Sequence, residues 1–399
     1  MPDVSRGVSV PVPSFNTRLK GVAEMAFSAA DFRAGFKALI SGQRRGVQAA
    51  LLRGLLRAAE VPYTLAVKFR NRQYDRGRKP VERVAVPVIS VGNLTLGGTG
   101  KTPLVEWLAR WLRQRGVRVT IISRGYGAEA GARNDEALEL EQKLPDVPHV
   151  QNPDRVAAAK MAIEEFDCQL ILLDDAFQHR RIHRDLNIVV VDALEPFGFG
   201  HVFPRGALRE PLSGLRRADV VVLSRTDLVE PAERQRIRST VARHTPSAIW
   251  MEASHRPERL LSASGREESL SALAGVPVAA FCGVGNPAGF RHTLAGIGCR
   301  VVDMREFPDH FAYQRSDVDS LTQWAAGLSV QAAACTHKDL VKLGIDQLGQ
   351  CPLWAVVIGL AIFAGQSELE TRLTDLLHHI PSGATETPSS SSSNPSPSP

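Results

Sequence analysis

The chain has 399 residues, 44% of them hydrophobic, which is enough for two domains with cores of their own. Its five cysteines (Cys168, Cys282, Cys299, Cys335, Cys351) are odd in number, widely spaced and form no Cys-x-x-Cys pair, which argues against a disulfide framework or a zinc site and for a reducing cytosol. Net charge is +6; no secretory h-region opens the chain, and no run of about 18 uncharged apolar residues marks a spanning helix.

Residues 1–30 show weak patterning and are expected to form a loosely ordered extension. Residues 31–80 are basic. Between Arg33 and Lys79 twelve Lys/Arg stand against Glu60 and Asp75, a local balance of +10, so the rest of the chain is about −4 (6 minus 10). Val47, Leu51, Leu52, Leu55, Leu56 and Ala59 fall on one face at helical spacing, and Arg53 and Arg57 share another. Further on, Lys68, Arg70, Arg72, Arg76, Arg78 and Lys79 add charge beside Tyr63, Phe69 and Tyr74. A basic amphipathic helix of this kind lies in the headgroup plane and draws on anionic lipid. Nucleic acid is the other partner that suits a basic arm. The bland alternative is a helix packed on its own domain with a solvated basic face. The pattern favours the membrane surface.

From Val84 onward, strand and helix patterns alternate. A strand Val84–Val91 leads through a glycine-rich loop to a helix over 102–115, striped by Leu104, Trp107, Leu108, Trp111 and Leu112. A strand Val117–Ser123, a helix over 154–166 and strands Gln169–Asp174, Asn187–Asp192 and Asp219–Ser224 follow. This series predicts an α/β fold around a mostly parallel sheet. A polar stretch near 255–270 then separates it from a second series with strands Val276–Cys282, Cys299–Met304, Gln331–Thr336 and Leu353–Ile358. The expected layout is a P-loop domain over 81–255 and a smaller α/β domain over 256–375, with the boundary somewhere within 226–270. Residues 376–399 are Ser- and Pro-rich and read as a disordered tail.

The stretch Val88-Ile-Ser-Val-Gly-Asn-Leu-Thr-Leu-Gly-Gly-Thr-Gly-Lys-Thr-Pro103 carries the most chemistry. Strand, glycine-rich loop and helix start are the context of a phosphate-binding P-loop. Thr95, Gly97, Gly98, Thr99 and Gly100 would surround an anion with backbone N–H groups, helped by the helix N-terminus. Lys101 would reach the β/γ-phosphates and Thr102 a magnesium ion. One departure stands out: Thr95 occupies the position of the first glycine of the usual pattern. Leu170-Ile-Leu-Leu-Asp174-Asp175 is an apolar strand ending in two carboxylates. Downstream of a P-loop, such acids organise the metal shell.

Four weaker clusters follow. Asn134-Asp135-Glu136 comes after the second strand, where ligands sit in parallel sheets. Asp135 suits a general base and Glu136 a metal support, although a loop Asp-Glu is more often solvated surface. Phe307-Pro-Asp309-His310 stands just past a strand of the second series, where His310 is either a partner to a carboxylate across a cleft or a structural loop histidine. His183-Arg184-Asp185 mimics a protein-kinase loop without its companion signatures. Gly283-Val-Gly285-Asn-Pro-Ala288, with Asp303 further on, fits a relaxed dinucleotide fingerprint, but Pro287 at a helix start makes a tight loop the better reading.

Taken together these residues resemble the tetraacyldisaccharide 4'-kinase family of lipid A biosynthesis, from about Val61 to Phe363. The resemblance rests on Pro87–Pro103, Ser123-Arg-Gly-Tyr-Gly127, Asp174-Asp-Ala-Phe-Gln-His-Arg-Arg181, Arg184-Asp185-Leu186 and Pro204-Arg-Gly-Ala-Leu-Arg-Glu-Pro211. In the second series it rests on Phe281-Cys-Gly-Val-Gly-Asn-Pro287, Phe307-Pro-Asp-His310 and Thr336-His-Lys-Asp-Leu-Val-Lys-Leu343. It implies ATP- and Mg2+-dependent transfer of the γ-phosphate to the 4'-hydroxyl of tetraacyldisaccharide 1-phosphate, giving lipid IVA. It implies a peripheral enzyme on the cytoplasmic face of the inner membrane. Lys101 would serve the phosphates, Thr102 with Asp174 and Asp175 nucleotide and metal, Asp135 as base supported by His310, and Glu136 near the metal. The family tolerates Ser or Thr at the position of Thr95. It usually reads Gly-Asp-Glu-Pro at Asn134-Asp-Glu-Ala137, Gly at Ala176 and a second His at Phe311.

The expected partners are the lipid A disaccharide precursor and an anionic inner-membrane surface, with no nucleic acid and no obligate protein partner. Arg205, Arg209 or the basic arm would meet the substrate's 1-phosphate. The competing readings are a P-loop GTPase or metallochaperone, a basic nucleic-acid-binding ATPase and a soluble small-molecule kinase. Ser224-Arg-Thr-Asp227 sits where a GTPase carries its guanine-reading Asn-Lys-x-Asp, but lacks the Asn-Lys.

Overall fold

The structure is a computed structural model that describes residues 29–125, 135–308, 311–378 and 380. The chain divides into two compact units, residues 1–53 and 54–399. In the first lie α1 (Ala29–Ile40) and the opening turns of α2 (Val47–Asp75), which continues into the second. The order then runs β1 (Val88–Asn93), α3 (Lys101–Arg113), β2 (Val119–Ser123), α4 (Asp135–Lys143), β3 (His149–Gln151) and α5 (Arg155–Phe166). It continues with β4 (Leu170–Leu173), β5 (Leu186–Asp192), β6 (Val220–Ser224), α6 (Pro231–Ala242), β7 (Ile249–Leu261) and β8 (Glu267–Glu268). The remainder is β9 (Pro277–Cys282), α7 (Pro287–Ile297), β10 (Arg300–Glu306), α8 (Arg315–Ala326), β11 (Ala332–Thr336), α9 (His337–Leu343), β12 (Gln347–Leu348), β13 (Cys351–Ala364) and α10 (Gln366–Leu377).

These strands form one sheet ordered β10-β9-β11-β13-β7-β6-β5-β1-β4-β2-β3, with β12 on β13 and β8 on β7. The strands from β6 to β3 pair in parallel, as do β10, β9, β11 and β13. Every residue of β1, β2, β4 and β6 is buried, as expected for strands covered by helices on both faces. Leu104, Leu108 and Leu112 of α3 pack on one face against Ile89, Val190 and Val222, with Leu369 and Leu373 of α10. Ile237 and Val241 of α6 cover Val189, Val191 and Leu223 on the other.

The two predicted series meet differently from expectation. The stretch 255–270, read as a polar separator, begins as the second half of β7, which runs on to Leu261. That strand pairs in parallel with β6 through Glu252 and antiparallel with β13 from Glu252 to Leu261. Its backbone is satisfied by β13, so the polar Arg256 and Glu258 need no core of their own and sit at the surface. For the same reason β13 continues six residues beyond Ile358. At the front of the sheet, β1 begins at Val88 and not at Val84. Pro87 has no N–H to give a ladder, and its carbonyl instead accepts from Ile171 N.

Helix α2 has an inverted amphipathic character. Its polar side chains Glu60 and Asn71 are buried (7% and 8% exposed), while Leu55, Leu65 and Phe69 are 67%, 61% and 67% exposed. Glu60 Oε1 accepts from Val202 N at 2.9 Å, and Asn71 Nδ2 donates to Glu210 Oε2 at 2.8 Å. The helix is thus anchored by polar contacts and shows apolar residues outward. Among the described residues no helix is long and apolar enough to cross a membrane.

Candidate active site

The loop after β1 is shaped by its glycines and by side chains from three neighbouring strands. Gly97 and Gly100 adopt φ of 102° and 77°, the left-handed region that a Cβ disfavours. A Cβ at Gly100 would also collide with the ring of His255 on β7. Asn93, the last residue of β1, donates from Nδ2 to Thr99 Oγ1 at 3.1 Å and towards the Gly97 carbonyl at 3.4 Å. Ser224 at the end of β6 donates to the Thr99 carbonyl at 2.9 Å. Thr95, the unusual residue, forms an antiparallel bridge to Leu208 and has no positive φ. An extended residue suffices there, so the glycine of the usual pattern is not needed. Lys101 and Thr102 open α3 directly behind the loop.

Asp174 and Asp175 follow β4, which lies beside β1 in the sheet. Asp174 is buried and its Oδ1 accepts from Asp175 N at 2.8 Å. Asp175 has φ 49°, a costly conformation for a non-glycine residue and one concentrated at functional sites. Its carboxylate lies 3.3 Å from Lys101 Nζ, and Arg209 Nη1 donates to both oxygens at 3.0 and 2.9 Å. Burial opposes its ionisation, but Lys101 and Arg209 outweigh burial and hold its pKa below the usual carboxylate value. The structure therefore places Lys101 against Asp175, with Asp174 beside it. Arg209, named above as a candidate for the substrate's 1-phosphate, is paired here with Asp175.

Asp135 and Glu136 form the first turn of α4; their side chains lie outside the described residues, as does His310. The ends of the His310 loop are described. Phe307 N donates to the Cys282 carbonyl at 2.8 Å, Lys342 Nζ to the Phe311 carbonyl at 3.2 Å, and Tyr313 OH to Asp339 Oδ1 at 2.9 Å. Phe311, where a second histidine was expected, packs its ring on Phe307 at 4.8 Å and Tyr313 at 5.2 Å. Ala176, in place of the expected glycine, has no positive φ and is fully buried, so its methyl group is accommodated.

Several partners escaped the sequence reading. Glu210 is fully buried and accepts from Asn71, Gln178 (3.2 Å) and Arg217 (2.7 Å), while Gln178 also donates to the Asn93 carbonyl at 2.8 Å. The Pro204–Pro211 block thus braces the P-loop strand against α2. Arg155 is buried at the start of α5, and burial with the nearby Arg124 lowers its pKa against the pull of Asp175 and Asp174. The pKa of His179 is lowered to about 4, by burial first and then by Arg155, Arg181 and Arg184. Asp227 accepts from Ser254 Oγ at the rim of a cavity of about 200 Å³ lined also by Thr226, Val229, Arg234, Arg256 and Phe363. Two decoys resolve as structural: Asp185 accepts from Val88 N at 2.9 Å, and Gly283 N is spent on Asp339 Oδ1 at 3.0 Å.

A parallel sheet with a Gly-Lys-Thr loop at the end of β1, and an Asp pair at the end of its neighbour, defines a P-loop nucleotide-binding enzyme. The family model for tetraacyldisaccharide-1-P 4'-kinase matches residues 52–378. The chain belongs to that family. It is 40% identical over 326 residues to a tetraacyldisaccharide 4'-kinase of Anaeromyxobacter dehalogenans, covering 77% of this chain and 86% of the relative. The Geobacter sulfurreducens kinase is 38% identical over 344 residues, covering 81% and 93%. The crystal structure of LpxK from Aquifex aeolicus in complex with ATP superposes with a TM-score of 0.68 at 30% identity, over 82% of this chain and 99% of that one.

Proposed function

We infer that this chain transfers the γ-phosphate of ATP to the 4'-hydroxyl of tetraacyldisaccharide 1-phosphate, giving lipid IVA in lipid A biosynthesis. The observation that carries this reading is the Lys101–Asp175–Arg209 constellation behind the P-loop, in a chain of this family. Phosphoryl transfer asks for positioning and charge neutralisation more than for covalent chemistry. The loop N–H groups and Lys101 hold the triphosphate. Lys101 exchanges Asp175 for phosphate oxygens as nucleotide binds. Asp135 takes the proton of the attacking hydroxyl, and His310 orients it.

Hard oxygen donors suit magnesium, which usually takes one or two carboxylates and completes its shell with phosphate and water. Asp174, Asp175 and the Thr102 hydroxyl are such donors, and Glu136 in the first turn of α4 would be a further one. Bound there, magnesium would neutralise charge on the transferring phosphoryl group.

The exposed apolar row of α2, with its polar side anchored inward, supports a peripheral position on the cytoplasmic face of the inner membrane, where a lipid acceptor is found. The test is product analysis. Protein, ATP, magnesium and the acceptor in detergent micelles should yield a lipid with one added phosphate on the 4'-oxygen, read by mass spectrometry and phosphorus NMR. A phosphorylated lipid at any other position, or hydrolysis of ATP without lipid product, would refute the reading.

A further inference from the structure

Helix α4 opens with Asp135-Glu136 and closes on Lys143, and a group of buried charges holds it. The Lys143 side chain is only 2% exposed. Its Nζ lies 3.0 Å from Glu139 Oε1 one turn back, 3.0 Å from Glu106 Oε2 on α3 and 3.4 Å from the Ile358 carbonyl on β13. Arg110, also on α3, closes the ring. Its Nε donates to Glu106 Oε1 at 3.1 Å and its Nη2 to the Lys143 carbonyl at 2.8 Å. On the remaining side stands His337, the first residue of α9, buried at 4% exposure with Nδ1 3.9 Å from Glu139 Oε1. That is beyond hydrogen-bond reach, and neither ring nitrogen has a hydrogen-bond partner. Burial opposes ionisation of Glu139, but the adjoining His337 and Lys143 outweigh it and hold its pKa down at about 2.

Ion pairs this deep add little net stability, since apolar replacements of the same volume often do as well or better. Their value lies in demanding one arrangement, because a displaced partner leaves a buried charge unpaired. The elements joined here are those that must agree for catalysis. Helix α3 begins with Lys101 and Thr102, and α4 begins with Asp135 and Glu136. Helix α9 carries Asp339 and Lys342, which hold Tyr313 and Phe311 just after His310.

We propose that Glu106, Glu139 and Lys143, with His337 facing them, are positioning residues that fix the register of α4 on α3, and so place Asp135 and Glu136 against the phosphates held by Lys101. The inference rests on the reading of Asp135 as the base. Lys143→Met keeps the stem and removes the charge, and Glu139→Gln keeps the shape. Each should lower kcat at least ~10-fold while KM for ATP stays within about twofold, since the P-loop itself is untouched. Melting curves identify any variant that fails to fold, in which case the other carries the test.

The deciding measurement is a double-mutant cycle with Asp135→Ala. If the cluster acts by placing Asp135, adding Lys143→Met or Glu139→Gln to Asp135→Ala should cost no more than about twofold further. Full additivity, or an unchanged kcat in the folded single variants, overturns the proposal. Full activity of Asp135→Ala alone would remove the base reading instead. The same cycle with Glu136→Ala would then judge the proposal by the same criterion.

Discussion

Two glycine-rich loops follow buried parallel strands in this molecule, and they do opposite things. After β1, Gly97 and Gly100 take left-handed conformations and lead into a thirteen-residue helix that begins with Lys101. After β9, neither Gly283 nor Gly285 has a positive φ, and the Gly283 N–H is committed to the buried Asp339. Glycine spacing alone therefore does not make a phosphate site. What matters is a curled backbone, a long helix behind it and a cation at its first turn.

The sharpest way to break this comparison is at the cation. Lys101→Ala should lower kcat/KM for ATP at least ~100-fold, as expected for lost charge stabilisation, whereas Arg291→Ala, on α7 behind the second loop, should leave it within about twofold. Steady-state kinetics decides between them. Next in size is backbone strain. Gly100→Ala forces a Cβ into the left-handed region and against His255, and should cost roughly 1–3 kcal/mol in a denaturant melt, with loss of nucleotide binding. Gly283→Ala, which crowds Asp339, Tyr313 and Phe311, should melt earlier but still bind nucleotide.

A smaller effect lies in the acid limb of stability. Glu139 has a folded pKa of about 2 against an ordinary 4.5, so its contribution is present above about 4.5 and is lost as pH falls from there towards 2. In Glu139→Gln that part of the acid limb should flatten in pH-dependent melts. The smallest effect belongs to the surface of α2. Leu55→Glu with Phe69→Glu should leave activity on a micellar acceptor within a fewfold but reduce flotation with anionic vesicles about tenfold or more. Unchanged flotation would remove the membrane role of that face.

Much of this site was legible in the sequence because parallel strands covered on both faces appear as unbroken apolar runs, and their ends mark where ligands sit. Val91 and Leu173 end such runs, which is why the P-loop and the Asp174–Asp175 pair could be placed. The ribbon of β7 and β13 was not legible. Its order comes from pairing between residues a hundred positions apart, and Arg256 or Glu258 looks the same in a paired strand as in a linker. Glu210 and Lys143 were missed for a related reason: a charged residue shows its burial only through partners that the fold brings to it. The same holds for Arg209, whose pairing with Asp175 crosses from one loop to another.

The central claim is that the P-loop of this chain delivers phosphate to a lipid hydroxyl. Its most direct test is transfer of label from γ-labelled ATP to tetraacyldisaccharide 1-phosphate in mixed micelles with magnesium, run with the wild-type chain and Lys101→Ala side by side. The account predicts a labelled bisphosphorylated lipid from the wild type and at least ~100-fold less from the variant. Equal transfer by the two proteins, or no lipid product from a wild type that still binds ATP, would contradict it.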